Sequence, residues 1–200
     1  MAIFSAVAGI IGAVAFSLLV GLVAVSPKGS GLRRYLLIAG TASVCLFIGQ
    51  TLIMTENGYQ RFPFLWLQLL EIARNVGWIL FLWQLLAKSD DSDLRGSVNA
   101  VAGVASVAAL FAACGLLFAE TGAESAAAIA VLMRKLVLVS MLAVVVGGLI
   151  LVEHLIRGTS RDARWALKHL CFGLGLIFAY DFYLYADALL FNRLDFVFYR

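Results

Sequence analysis

The sequence is short of almost everything a water-facing surface requires. Only 14% of its 200 residues are charged, against about a quarter in an ordinary soluble domain. It holds 2 prolines, which excludes Pro-rich disorder and leaves the apolar stretches uninterrupted by Pro. The 3 cysteines, Cys45, Cys114 and Cys171, fall in three different apolar stretches. An odd number with no CxxC and no Cys/His cluster excludes a disulfide framework, so each is expected to be a small buried hydrophobe. The 2 histidines, His154 and His169, sit outside any ligand-spaced cluster; no metal site is expected, and both read as interfacial side chains. A P-loop, an HExxH and a Ser/His/Asp arrangement are all missing. No catalytic group and no cofactor are therefore expected.

What remains is apolar. Hydrophobic residues make up 63% of the chain and the mean hydropathy is +0.98, a composition that would aggregate in water. This excludes a soluble enzyme and points to an integral membrane protein whose first partner is the lipid bilayer. The net charge of +3 does not indicate nucleic acid, because the basic residues stand in loops between apolar runs, as membrane orientation requires.

Runs long enough to cross a bilayer cover about residues 3–25, 35–55, 64–87, 98–119, 129–152 and 165–190. Lipid offers no partner to an open backbone, and no strand-like alternation is visible, so these runs are expected to be helices. Breakers separate them: Ser26-Pro27-Lys28-Gly29-Ser30-Gly31, Glu56-Asn57-Gly58, Lys88-Ser89-Asp90-Asp91-Ser92-Asp93, Glu120-Thr121-Gly122 and Arg157-Gly158-Thr159-Ser160. The expected architecture is an all-α, polytopic membrane helix bundle of about six transmembrane helices, forming one domain over residues 1–200. The first run exceeds the 7–15 residues of a signal peptide and no basic residue precedes it.

Charge sets the expected orientation. Lys28, Arg33, Arg34, Lys88, Arg95, Arg157, Arg161, Arg164 and Lys168 lie on one side, while only Arg61, Arg193 and Arg200 lie on the other. Nine against three places the first side in the cytoplasm and the amino terminus outside.

Charges inside membrane helices are costly and need a partner or a water-filled cavity. In the third run Glu71, Arg74, Asn75 and Trp78 recur at helical spacing and share one face. The fifth carries Arg134 and Lys135 near its start. The sixth carries Asp181 roughly 24 Å along, flanked by Tyr180, Tyr183, Tyr185 and Asp187. One expectation is a shared intramembrane polar cluster of Glu71, Arg74, Asn75, Arg134, Lys135, Tyr180, Asp181 and Asp187. The alternative pairs Glu71 with Arg74 and lets Arg134 and Lys135 snorkel to headgroups. Smaller signals read as packing: Gly173-x-Gly175, and the stripe Ala105, Ala109, Ala113. Trp66, Trp78, Trp83 and Trp165 fall mostly near run ends, as interfacial anchors do.

The carboxyl-terminal third is more particular. Leu149-Ile150-Leu151-Val152-Glu153-His154-Leu155-Ile156-Arg157 is followed by Arg164-Trp165-Ala166-Leu167-Lys168 and Gly173-Leu174-Gly175. Phe178-Ala179-Tyr180-Asp181-Phe182-Tyr183-Leu184-Tyr185 and Asp187-Ala188-Leu189-Leu190-Phe191 then follow. This string resembles the amino-terminal membrane region of the PrsK-type sensor histidine kinases of the PEP-CTERM/exosortase system. Glu71-x-x-Arg74-x-x-Gly77-Trp78-x-x-Phe81-Leu82 is similar to the same family's third helix. The resemblance is dense over residues 149–195 and thin over the first 130. It implies a bacterial inner-membrane sensor region, dimeric, ahead of a seventh helix and cytoplasmic kinase modules that act on a response regulator. The phosphoacceptor helix and ATP-binding motifs of such kinases have no counterpart in these 200 residues. A small transporter or channel with an intramembrane charged cluster remains the alternative.

Overall fold

The computed structural model describes residues 2–25, 32–53, 64–87, 92–121, 127–158 and 161–191. Six helices account for nearly all of them: α1 (Ala2–Val25), α2 (Leu32–Ile53), α3 (Phe64–Leu86), α4 (Ser92–Thr121), α5 (Ala127–Gly158) and α6 (Arg161–Phe191). Among the described residues there is no strand, and the all-α expectation holds. Four stretches are long and apolar enough to cross a membrane: Trp66–Leu86, Arg95–Leu117, Leu132–Gly158 and Lys168–Phe191. In α1 and α2 the apolar stretches with described side chains are shorter, Ile10–Gly21 and Arg34–Gly49. The loops carrying Lys28, Arg61 and Lys88, and the terminal Arg193 and Arg200, lie outside the described residues.

By packing, the chain divides into two compact units, with the division between Gly77 and Trp78.

In the first unit α1 lies on α2, with the rings of Phe16 and Phe47 stacked at 5.8 Å. The first half of α3 also lies on α2. Leu46 and Leu67 form a small core there, with Leu70 against it. Gly77 is required by a close approach: a Cβ there would stand 2.9 Å from the Cα of Ala39. A Cβ on Gly49 would meet Leu67. As α3 runs forward from Leu67 to Gly77, its contacts on α2 run back from Gly49 to Ala39. The pair is antiparallel with no slip, and Arg74 is brought level with Ala42 and Ser43.

In the second unit α4 packs against α5 and α5 against α6. Small residues set the α4–α5 spacing, as the alanine stripe predicts. Ala105 and Ala109 are buried, and a Cβ on Gly147 would stand 3.1 Å from the Cβ of Ala105. Gly148 accommodates the ring of Phe178, which is fully enclosed. Gly173 and Gly175 are different. A Cβ at either would meet nothing within 4 Å, so they do not mediate the close packing that their spacing predicts. Two of the cysteines also depart from expectation. Cys45 and Cys114 are exposed and only Cys171 is buried, all three as free thiols. Hydropathy alone does not separate the two settings, because a thiol is a small apolar group in either.

Candidate functional site: a buried polar group in α3

The first half of α3 turns its ionisable residues inward. Glu71 and Arg74 are 7% exposed, and Asn75 is fully enclosed. These positions and the buried Leu67 and Trp78 recur at three- and four-residue intervals, so they lie on one face. Asn75 stands at the midpoint of α3, roughly 16 Å from either end. Arg74 Nη2 lies 3.9 Å from Glu71 Oε1, and Arg74 Nε donates to Asn75 Oδ1 at 3.3 Å. The ion pair is looser than the 2.7–2.9 Å of a charge-assisted hydrogen bond. The second polar atom of Asn75, Nδ2, is enclosed with no hydrogen-bond partner. Such an orphan donor costs about 1–3 kcal/mol. Ser43, on the facing helix, is also fully enclosed and donates to the carbonyl of Ala39 at 2.8 Å.

The other expected site residues fall in the second unit and differ among themselves. Asp181 is 2% exposed, near the middle of the apolar stretch Lys168–Phe191. Asp187 is half-buried and Tyr180 is exposed. Arg134 and Lys135 are both exposed on α5. Around them α5 has no polar repeat at helical spacing, so its sequence does not mark which face will be covered. Of the eight expected residues, Glu71, Arg74, Asn75 and Asp181 are buried, Asp187 is half-buried, and Tyr180, Arg134 and Lys135 are exposed.

A third polar feature carried no sequence motif. At one end of the second unit, Trp83 Nε1 donates to Asn99 Oδ1 at 2.8 Å, joining α3 to α4. Ser97 Oγ and His154 Nε2 are 3.1 Å apart, joining α4 to α5. His154 Nδ1 lies 2.8 Å from the carbonyl of Ile150, and a carbonyl only accepts. The proton of a neutral His154 is therefore on Nδ1, and Ser97 donates to Nε2. Both ring nitrogens of His154 thus have partners, while His169 is exposed. The pairing follows from the antiparallel α4–α5 register, in which Ala105 meets Gly147 and Ser97 falls opposite His154. Of the tryptophans, Trp66 is exposed near the start of α3, as an anchor should be, but Trp78 is buried at mid-chain of that helix.

Among the described residues no group of three His, Cys, Asp or Glu could hold a metal ion. No protein-family model, curated protein or solved structure matches the chain. The likeness to the sensor kinases therefore stands on the residues quoted for it.

Proposed function

We propose that the chain is a membrane-embedded sensory and anchoring region, of the kind found ahead of two-component histidine kinases. The observation that carries this reading is the enclosed Glu71–Arg74–Asn75 group at the midpoint of α3. A buried charge pair with an unsatisfied amide is expensive to keep in an apolar bundle. Expense of that kind is what a bistable element uses, since a rearrangement that satisfies the group differently shifts the balance between two packings. Glu71 and Arg74, with Tyr180, Asp181 and Asp187, occupy positions where this sequence is similar to the PrsK-type membrane region.

In this reading all six helices cross the inner membrane from an outside amino terminus, and the chain works as a homodimer. Its cytoplasmic ends, near Arg95, Arg157 and Lys168, pass the change to kinase modules. Moving a population from 1:99 to 99:1 takes about 5.5 kcal/mol, of which rearrangement of a buried pair can supply a large part.

The test is Glu71→Gln and Asp181→Asn in the intact signalling protein. Unchanged abundance with altered pathway output supports a sensory role, whereas a fall in abundance with output per molecule preserved makes the group architectural. Cysteines at positions 28 and 161 should be labelled only from the cytoplasm; labelling from outside overturns the orientation.

A further inference from the structure

Arg134 and Lys135 are exposed at the start of the apolar stretch Leu132–Gly158, and among the described residues neither has an acidic partner. α5 has 32 residues, about 48 Å at 1.5 Å per residue, against a hydrocarbon core of roughly 30 Å. Centred in a bilayer, it projects about 9 Å at each end. Arg134 is seven residues after Ala127, about 10 Å in, which puts both cations at the boundary between headgroups and acyl chains. A cation at that boundary is stabilised by an anionic headgroup, at about 1 kcal/mol per Lys or Arg.

The surface below the cations has a shape as well as a polarity. Leu132, Lys135, Val139, Ala143 and Val146 are all exposed, and their three- and four-residue spacing makes one continuous stripe along α5. A charged head thus leads into an apolar track, with the small side chain of Ala143 partway down.

We infer that this face of α5 binds one anionic phospholipid, with the phosphate on Arg134 and Lys135 and an acyl chain along Val139, Ala143 and Val146. The occupant is a lipid and not a free anion because the track continues the charged head for three turns in the direction a chain would take. The site does not depend on the sensory reading; it requires only that α5 cross a bilayer.

The test uses the full chain in nanodiscs of phosphatidylcholine mixed with phosphatidylglycerol, with retained lipid counted by native mass spectrometry after detergent release. Two cations beside an anionic headgroup correspond to roughly thirtyfold preference for phosphatidylglycerol. Arg134→Gln with Lys135→Gln should erase that preference, and either change alone should lower it about fivefold. The charge-keeping pair Arg134→Lys and Lys135→Arg should retain it, which guards against misfolding as the cause of a loss. Ala143→Phe should weaken retention with both cations in place. Equal retention in the wild type and the double Gln variant overturns the site. So does an equal loss on Arg157→Gln at the opposite end of α5, or full displacement by inorganic phosphate.

Discussion

The middle of α3 and the start of α5 both put charge into an apolar helix, and they handle it in opposite ways. Glu71 and Arg74 face inward, paired with each other at 3.9 Å and tied to Asn75. Arg134 and Lys135 face outward, where headgroups can neutralise them. The difference lies in the helix around the charge. α3 has a polar face that follows the helical repeat, and that face is enclosed. α5 has no polar repeat around its two adjacent cations, and both are exposed. A charge in a membrane helix is therefore not informative alone; its neighbours at three- and four-residue spacing decide whether it is core or rim.

The comparison breaks most directly at Arg74. Arg74→Met leaves the Glu71 carboxylate without this partner in an enclosed setting, and should cost about 3–5 kcal/mol. The double change Glu71→Gln with Arg74→Met removes both charges and should recover most of that loss. Unfolding in mild detergent, followed by helicity, measures both; equal losses for the single and double variants would mean the pair is not coupled. Gly77→Ala should come next. Its Cβ would stand 2.9 Å from a backbone atom of Ala39, which cannot swing aside, so a loss of about 1–3 kcal/mol is expected. Gly173→Ala, facing open space, is the matched control and should be neutral or slightly stabilising through helix propensity.

The helices were readable because each run is long, apolar and bounded by Gly, Ser or Asp, and lipid leaves no other way to pair the backbone. The inward face of α3 was readable too, since Glu71, Arg74, Asn75 and Trp78 recur at its period. Two things were not. The division at Gly77 depends on which neighbour each half of α3 packs against, and a continuous hydrophobic pattern does not record that. The Ser97–His154 bond joins residues on different helices, and neither residue type is distinctive in its own window. Only the facing register of α4 and α5 brings them together.

That bond supplies a smaller test. Ser97→Ala leaves His154 Nε2 without its donor and should cost about 1 kcal/mol, near the mean for polar contacts between membrane helices. Ser97→Thr keeps the hydroxyl and should restore most of it. Asn99→Ala, which removes the acceptor for Trp83 Nε1, should cost about as much. The two changes touch different neighbours, α5 and α3, so their effects should add within about 0.5 kcal/mol.

The smallest expected effect belongs to the outward cations, and its smallness is what sharpens the contrast with α3. Arg134→Gln and Lys135→Gln remove as much charge as the paired changes at Glu71 and Arg74. Both side chains are exposed and neither has an acidic partner among the described residues, so nothing in the fold is left uncompensated. Each should shift stability by no more than about 0.5 kcal/mol. In phosphatidylcholine the wild type and the variants should therefore unfold together. Phosphatidylglycerol should stabilise the wild type over the variants, because a ligand that binds only the folded state adds its binding free energy to stability. A loss of several kcal/mol in phosphatidylcholine would instead place Arg134 and Lys135 in the core, and erase the distinction between the two helices.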